Sequence, residues 1–313
     1  MIDTVYEEPV LPEVKINIIK PNNPVEVPLV ETRIGTSEAS PNFVRHMTFD
    51  VSGTPLQDNI IAGQSFGIVP PGFQENGRPH KLRLYSTSSP SKGEKGEGKL
   101  VSTIVKRVID EHWETHKLFL GVCSNYLCDL QAGDIVKMTG PSGKRFLLPN
   151  NPADYNYVFF ATGTGIAPFR GMSLDLLGQG ASSEIALVFG SPYRTDFLYH
   201  DLFESLSRKA SNFHYLRSVS REARRTDGTK SYVQHQIEDS EWLRSILQRE
   251  NTLIYICGLK GMETGIYQRL LKFNIPGYVT VSESIMGKDP ATLTREELKR
   301  DLKPTDRVFL EVY

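Results

Sequence analysis

The chain has 313 residues, 39% of them hydrophobic, and this predicts about two globular domains with ordinary cores. Its formal net charge of −1 argues against nucleic acid or an acidic membrane surface as the main partner. No stretch approaches the roughly eighteen apolar residues of a transmembrane span. The N-terminus MIDTVYEEPVLPEV has early acids and no apolar segment, so we expect no signal or transit peptide and a cytoplasmic protein.

The first half of the chain consists of short β-branched runs separated by Gly, Pro, Asn and Asp clusters, a pattern that predicts strands. The runs are FVRHMTFDVS (43–52), GQSFGIVP (63–70), KLRLYSTSS (81–89), KLVSTIVKRV (99–108) and DIVKMTG (134–140). Together they predict a small antiparallel β-barrel. The stretch SPSKGEKGEG (89–98) has nothing to bury, so we predict a flexible loop there.

Two spacings in the next segment resemble metal sites but lack a required residue. The chain has three cysteines, Cys123, Cys128 and Cys257, an odd number that suits a reducing compartment. The first two have the C-x4-C spacing of one iron–sulfur motif, but Gln131 stands where the next cysteine is required. His112 and His116 in HWETH are four residues apart, with the glutamate misplaced for a zinc-protease helix. We predict no metal site.

The second half alternates apolar strands with helices, which predicts a doubly wound parallel sheet. The predicted strands are 157–163, 184–190, 213–220, 252–258 and the terminal FLEVY (309–313). The predicted helices are 166–180, 197–210, about 232–249 and about 261–272. We place the hinge at NPAD (151–154), which gives domains of residues 1–150 and 151–313.

ATGTGIAPFR (161–170) follows a predicted apolar strand and opens a helix. Gly163 and Gly165 would let the backbone approach a ligand, and a helix N-terminus offers unpaired N–H groups to a phosphate. Because the spacing is G-x-G rather than G-x-G-x-x-G, a tight strand-to-helix turn without a ligand is the alternative interpretation.

VSRE (219–222) ends another predicted parallel strand, where such sheets bind ligands. Arg221 offers a fork of donors to a phosphate, and Lys230 and Tyr232 follow as a cation and a flat ring. Together they fit an adenosine with a 2′-phosphate, and hence NADP rather than NAD. Taken singly, each is an ordinary surface residue.

Three further motifs complete the set. RLYS (83–86) alternates a guanidinium, an aromatic ring and a hydroxyl along a strand, and GVCSNYLCDL (121–130) contains a helix start that suits a second phosphate. Two anion sites on two domains predict two cofactors, one of them redox-active, because neither a Ser–His–Asp triad nor a metal cage is present. Cys257, in CGLKGME (257–263), is either a buried structural thiol or a neighbour of a reactive nicotinamide.

These motifs, with K-x-Y-x-Q (230–234) and the terminal EVY, occur in the order and approximate spacing of plant-type (plastidic-type) ferredoxin–NADP⁺ reductases. From about residue 60 onward the chain resembles that family, and the N-terminus fits a bacterial member, or a processed chain, better than an unprocessed plastid precursor. The resemblance implies an antiparallel β-barrel FAD domain followed by a doubly wound NADP domain. It implies an oxidoreductase that exchanges hydride with NADP(H) and single electrons with ferredoxin or flavodoxin. We expect a monomer.

The resemblance also implies a role for each motif residue. In the FAD site, Arg83 holds the pyrophosphate, Tyr85 stacks on the flavin and Ser86 lies near flavin N5, with further contacts from Leu84, Val122, Cys123 and Ser124. In the NADP site, the pyrophosphate lies on Thr164 and Gly165, and the 2′-phosphate and adenine on Ser220, Arg221, Lys230, Tyr232 and Gln234. Gly258 and Leu259 line the site, Cys257 and Glu311 flank the nicotinamide, and Tyr313 covers the other flavin face. The predicted catalytic residues are Ser86, Cys257, Glu311 and Tyr313.

The segment around Asp110 departs from the family pattern. Asp110 lies near a position where the family often carries an aromatic ring against the FAD adenine, and an insertion precedes GVCSNY. How the adenine is held is therefore open, and Trp113 is the candidate substitute.

The choice of electron acceptor also leaves alternatives. Lys92, Lys95 and Lys99 are candidate steering charges for an acidic carrier protein, or a solvated face. One alternative function is an NADPH diaphorase of the same fold that acts on small-molecule acceptors. The other is a nucleotide-binding sensor that keeps FAD without turnover, which would not require Ser86, Cys257 and Glu311 together.

Overall fold

The computed structural model describes residues 8–222 and 224–313, so the first seven residues of the N-terminal motif lie outside the described part. The strands are β1 (Val25–Ile34), β2 (Val44–Asp50), β3 (Ser65–Val69), β4 (Arg83–Ser86), β5 (Leu100–Lys106), β6 (Ile109–Glu111), β7 (Leu118–Leu120), β8 (Ile135–Ser142), β9 (Asn156–Thr162), β10 (Ile185–Ser191), β11 (Phe213–Val219), β12 (Thr252–Gly258), β13 (Val279–Val281), β14 (Leu302–Pro304) and β15 (Val308–Val312). The helices are α1 (Val122–Asp129), α2 (Ala167–Gly178), α3 (His200–Lys209), α4 (His235–Asp239), α5 (Glu241–Leu247), α6 (Met262–Lys272) and α7 (Arg295–Asp301).

The first domain is the predicted antiparallel barrel. Its six strands lie in the order β4-β3-β8-β1-β2-β5, and side chains such as Leu29, Phe49 and Phe66 are fully buried between them. The two outer strands, β4 and β5, lie close together: the Thr103 hydroxyl donates a hydrogen bond to the Ser86 carbonyl at 2.7 Å. All five strands predicted in this half are present.

The second domain is the predicted doubly wound sheet, with five parallel strands in the order β11-β10-β9-β12-β15. The central strand β9 buries both of its faces. Tyr157 and Phe159 pack with α2 and α3 on one side, and Val158 and Phe160 pack with α4, α5 and α6 on the other. The chain runs outward from β9 to β11 and then returns to β12, so the strand order reverses between β9 and β12. Ligands bind at such a reversal, beyond the carboxyl ends of the strands.

The predicted single helix at 232–249 is wrong. The structure has two short helices, α4 and α5, which are separated at Ser240. The Ser240 hydroxyl accepts a hydrogen bond from the Leu243 amide at 3.1 Å and so caps the second helix. A serine inside a helical pattern competes in this way with the backbone ladder, which explains the break.

The expectation that residues 89–98 have nothing to bury is also wrong. Glu94 is largely buried and forms an ion pair with Arg170, and Gly93 and Gly98 are buried. The loop also folds on itself, because the Glu94 amide donates to the Leu100 carbonyl and the Gly98 amide to the Lys92 carbonyl. The polar composition of this loop suggested a solvated segment, because the residue that pairs with Glu94, Arg170, belongs to the other domain.

The structure adds elements that the sequence patterns did not indicate. These are β1, the β6–β7 hairpin, the β13–β14 pair and α7. Strand β1 escaped notice because only Val27 and Leu29 of its ten residues are buried. Across the described residues, no helix combines the length and apolarity needed to cross a membrane.

Candidate active site

A cleft of about 1550 Å³ lies between the two domains. Its wall on the barrel side comes from β4 and the start of α1, and on the other side from the carboxyl ends of β9, β10 and β11 and from the C-terminal residues. Pockets for one small ligand are usually about 300–1,000 Å³, so this cleft has room for more than one dinucleotide-sized molecule or for extended ones.

On the barrel side, the cleft contains every predicted residue of the first cofactor site. These residues are Arg83, Leu84, Tyr85, Ser86, Val122, Cys123 and Ser124. The Arg83 side chain is exposed, and its Nη1 donates to the backbone carbonyl of Leu82 at 3.1 Å. Helix α1 begins beside it, and the first N–H groups of a helix have no partner within the helix. A guanidinium and a helix N-terminus in one wall form a good phosphate site.

The β6–β7 hairpin supplies a cleft residue that the sequence analysis missed. Asp110 pairs with Phe119 across the hairpin, and the Phe119 ring lines the cleft with Val108 and Val122. Trp113 lies in the hairpin turn, 79% exposed. Among the described residues of this hairpin, Phe119 is therefore the aromatic residue placed to meet a ligand. The sequence analysis looked for the aromatic ring within a few residues of Asp110. The ring is instead on the neighbouring strand, where Phe119 pairs with Asp110.

On the α/β side, the turn after β9 brings Thr162, Gly163 and Thr164 into the cleft wall. Gly165 is buried beneath this turn, where a Cβ atom would collide with the Cys257 carbonyl. A Cβ atom on Gly258 would similarly collide with the Thr162 hydroxyl. Both glycines let the turn pack closely on β12, which places the exposed Leu259 in the wall. Steric fit of the turn thus accounts for Gly165 and Gly258, and any role in ligand contact stays a prediction.

Glu311 connects the two domains at the centre of the cleft. It pairs with Cys257 in the β12–β15 register, and its Oε1 accepts a hydrogen bond from the Ser65 hydroxyl at 3.3 Å. Ser65 in turn pairs with Ser86 in the β3–β4 register. The hydroxyl that contacts Glu311 is therefore that of Ser65, the cross-strand neighbour of the predicted catalytic residue Ser86.

The charge state of this group follows from its burial. The second oxygen of Glu311, Oε2, is buried and has no partner within the described protein. Burial raises the pKa of the Glu311 carboxyl above its ordinary value, and the Ser65 hydrogen bond opposes this only in part. The Cys257 thiol is fully buried, and burial followed by the nearby Glu311 charge raises its pKa well above the ordinary value. Glu311 can therefore hold a proton to higher pH than an exposed glutamate.

The last residue is fixed by its backbone while its ring remains in the cleft. The Tyr313 amide donates to the Gly258 carbonyl at 3.0 Å, and its own carbonyl accepts from the Lys260 amide at 3.1 Å. Tyr313 as a whole residue is 59% exposed, and its hydroxyl forms a 2.9 Å hydrogen bond with Thr164. Tyr313 is thus the residue that ties the strand end to the turn after β9.

The predicted 2′-phosphate residues are only partly in the cleft wall. Ser220, Tyr232 and Gln234 line it, whereas Arg221 and Lys230 are exposed on the loop that follows β11. The Arg221 guanidinium lies 5.8 Å from the Tyr193 ring centroid. Its Nη1 is 3.5 Å from the Tyr193 hydroxyl, a long hydrogen bond that leaves the guanidinium available to a ligand.

Known proteins resemble this chain both in its second domain and over most of its length. A model of the oxidoreductase NAD-binding domain matches residues 159–268. The ferredoxin–NADP reductase of Spirulina sp. is 41% identical over 261 residues, which are 81% of this chain and 88% of that protein. That of Thermosynechococcus vestitus is 37% identical over 308 residues, 96% of this chain and 76% of that protein. This chain belongs to the ferredoxin–NADP reductase family.

Membership of this family confirms the resemblance that the motifs indicated. Similar proteins also occur outside bacteria. The chloroplastic leaf isozyme 1 of ferredoxin–NADP reductase from Arabidopsis thaliana is 37% identical over 307 residues, 95% of this chain and 79% of that protein. Among solved structures, ferredoxin–NADP⁺ reductase from Plasmodium falciparum superimposes with a TM-score of 0.70 at 24% identity. The match covers 95% of this chain and 99% of the other, and it supports the two-domain fold.

Proposed function

We propose that this ferredoxin–NADP reductase family member is an FAD-dependent oxidoreductase that exchanges hydride with NADP(H) and single electrons with ferredoxin. The observation that carries the proposal is the shared cleft. It has one helix start suited to a phosphate on each domain, at α1 and at the turn before α2. Between them lies a buried carboxylate oxygen of Glu311 that has no hydrogen-bond partner in the described part of the chain. A nucleotide-binding sensor that keeps FAD without turnover would not need this carboxyl group.

The residues on the barrel side fit FAD. Arg83 and the start of α1 would hold its pyrophosphate, Tyr85 would lie against the flavin, and Phe119 would pack on the adenine. When bound, FAD supplies the chemistry that links two-electron hydride exchange to one-electron transfer. The protein contributes position and proton handling, through a hydroxyl at Ser86 and the adjacent Ser65–Glu311 hydrogen bond.

The residues on the α/β side fit NADP. The turn after β9 offers Thr164 and helix N–H groups to the pyrophosphate, and Arg221 with Lys230 offers two cations to a 2′-phosphate. A second structure of the Plasmodium falciparum enzyme carries 2′P-AMP, which is the corresponding fragment of NADP. Cys257, buried beneath Glu311, would help to fix the position of the nicotinamide end of the cleft.

Glu311 is the group best placed to give or take a proton on the cleft side, with the Ser65 hydroxyl as the relay that would hand it on toward the reacting edge of the flavin. Its raised pKa keeps it protonated over part of the range in which an exposed glutamate is charged. Its Oε1 accepts from Ser65 on the barrel, while its Cα belongs to the other domain's sheet. Proton transfer by this path requires both domains to remain in their observed positions.

Ferredoxin is the carrier protein that the names of the relatives specify, and we extend the proposal to flavodoxin, since both are generally acidic. Lys92 and Lys95 are exposed, whereas Lys99 forms a 2.9 Å ion pair with Glu97. The Lys99–Glu97 pair carries no net charge, so the steering role rests mainly on Lys92 and Lys95. We further propose a monomer in a bacterial cytoplasm.

The test of the function is the visible spectrum of the purified protein under anaerobic conditions. NADPH should bleach the flavin absorption, and ferredoxin should then be reduced. A yellow protein that NADPH does not bleach would favour a sensor. Bleaching followed by reduction of a dye but of neither ferredoxin nor flavodoxin would favour a diaphorase, which the named relatives do not support.

Replacing Tyr313 with serine should tighten NADP⁺ binding about tenfold and weaken discrimination against NADH. The ring would occupy the place that a nicotinamide needs, and aromatic stacking contributes about 0.5–1.5 kcal/mol beyond burial. Titration with NADP⁺ and steady-state kinetics with both reduced cofactors measure the effect. Tyr313→Phe is the matched control, because it keeps the ring and removes only the hydrogen bond to Thr164. Unchanged NADP⁺ affinity and an unchanged NADPH/NADH ratio in Tyr313→Ser would refute this role.

Replacing Phe119 with alanine should weaken FAD binding about tenfold or more, because stacking of a base on an aromatic side chain contributes about 1–3 kcal/mol. Titration of the apoprotein with FAD, followed by flavin fluorescence, gives the dissociation constants. Trp113→Ala removes an exposed ring from the same hairpin and should leave FAD affinity unchanged. Equal losses in the two variants would show that the hairpin acts only through its overall apolar character.

A further inference from the structure

The loop once predicted to be flexible is held by helix α2 of the other domain. Arg170 Nη1 donates to the Ser88 carbonyl at 2.8 Å and to Glu94 Oε1 at 2.7 Å, and its Nη2 donates to Glu94 Oε2 at 2.9 Å. The Arg170 and Glu94 side chains are only 12% and 17% exposed. This is a bidentate ion pair in the interface between the domains, not a surface pair.

Two more residues of the same helix contact the same segment. Asp175 accepts hydrogen bonds from the Ser91 amide at 3.0 Å and from the Ser91 hydroxyl at 2.6 Å. Gly171 lies against the Ser89 carbonyl so closely that a Cβ atom there would collide with it. We call this set, residues 170, 171 and 175 of α2 with residues 88–94, the interdomain clamp.

Other groups around the Arg170 side chain extend this polar network, while the Arg170 Nε is buried without a hydrogen-bond partner among the described residues. The Ser102 hydroxyl donates to Glu94, and the Ser88 and Ser102 hydroxyls form a 2.8 Å hydrogen bond. The guanidinium lies 5.1 Å from the centroid of Tyr199, whose hydroxyl forms a 2.8 Å hydrogen bond with His46. Replacing a buried ion pair by apolar residues often costs little stability, so stability alone does not explain a polar network of this extent.

The position of the clamp indicates its role. Ser88 is two residues beyond Ser86, the last residue of β4, and Arg170 follows Thr164 within one continuous helical stretch. Each half of the clamp is therefore tied through a few residues to one of the two proposed cofactor sites. The polar contact between Ser65 and Glu311 depends on the same domain placement.

We propose that the interdomain clamp fixes the distance between the FAD and NADP sites, and that Arg170 is a positioning residue for hydride transfer. This inference rests on the proposed function. Hydride transfer requires two reacting atoms to be held close together, and a displacement of about 1 Å can cost on the order of a hundredfold in rate. A clamp at the base of both sites restricts such displacements without touching either cofactor.

The test uses the double variant Glu94→Met/Arg170→Met in the FAD-loaded protein. Removing Arg170 alone would leave Glu94 buried and unpaired, whereas two methionines of similar size keep the interface filled. Spin labels at Ser52→Cys and Glu250→Cys, both exposed and on different domains, report the distance between the domains, because the native cysteines are all buried. Parallel measurements are the rate of flavin reduction by NADPH in rapid mixing and the affinity for 2′-phospho-AMP.

We expect a broader distance distribution and flavin reduction slowed tenfold or more, with 2′-phospho-AMP affinity within twofold of the parent, since that ligand needs only one domain. A narrow, parent-like distribution would overturn the inference, whatever the reduction rate, and so would a broad distribution with a parent-like reduction rate. If NADPH fails to bleach even the parent protein, the proposed function fails, while the distance measurement still decides whether the clamp holds the domains.

Discussion

Replacing Ser86 with valine should slow flavin reduction by NADPH about 10²–10⁴-fold while FAD remains bound. Ser86 lies in the cleft wall at the end of β4, and valine suits a strand and replaces the hydroxyl by an apolar side chain that is one heavy atom larger. What is lost is a hydroxyl able to exchange a hydrogen bond with the reacting edge of the flavin, and correctly placed proton donors or acceptors typically contribute this much. Rapid-mixing absorbance measures the rate, and the flavin content of the purified variant shows whether FAD is retained.

Two controls separate this effect from damage to the barrel. Ser52→Val places the same change at an exposed turn of the same domain and should reduce flavin at the parent rate. Ser65→Ala removes the hydrogen bond to Glu311 but leaves the Ser86 hydroxyl in place. A smaller loss in Ser65→Ala than in Ser86→Val would assign the direct contact to Ser86. A parent-like rate in Ser86→Val would remove Ser86 from the catalytic residues.

Replacing Arg221 with alanine should lower kcat/KM for NADPH about 10–100-fold and leave that for NADH almost unchanged. A charge-assisted hydrogen bond contributes about 1.5–3 kcal/mol, and only NADPH carries the 2′-phosphate that would accept it. In the absence of ligand Arg221 contacts Tyr193 only through a long hydrogen bond and its ring face, so the substitution should not disturb the fold.

The matched control for this prediction is Arg208→Ala, which removes an exposed arginine from α3 of the same domain. It tests whether loss of general positive charge is enough to weaken NADPH use. Steady-state kinetics with both cofactors should show no change in that variant. Equal losses of NADPH and NADH activity in Arg221→Ala would contradict a 2′-phosphate role.

Local sequence patterns predicted those strands and helices whose buried side chains follow a continuous or periodic pattern along the chain. The strands of the second domain are continuous apolar runs because both of their faces are covered, and the helices between them show where each crossover lies. The terminal strand was predicted instead from the alternation of Val308, Leu310 and Val312 with Phe309, Glu311 and Tyr313, and in the structure Val308 packs in the core while Glu311 lines the cleft. Short motifs with glycine and charged residues at fixed spacing then led us to predict a phosphate site on each domain.

Elements whose stability comes from distant partners were not predicted. Strand β1 buries two residues, and the β6–β7 hairpin buries none, so neither leaves a periodic signal. Residues 89–98 read as a solvated stretch because the partners of Glu94 and Ser91 lie more than seventy residues away, on α2. Nothing within a short window shows that a glutamate in a Gly/Lys-rich loop will meet a buried arginine.

By itself, the sequence determined the family, the two-domain order and the set of residue types from which the site is made. Only the tertiary structure decided which of them meet: Glu311 with Ser65, Phe119 at the cleft instead of Trp113, and Arg170 with Glu94. The physical reason is that spacing along a strand or helix fixes which face a side chain occupies. The position of one domain against the other fixes what that face meets, and this depends on contacts between residues far apart in the chain.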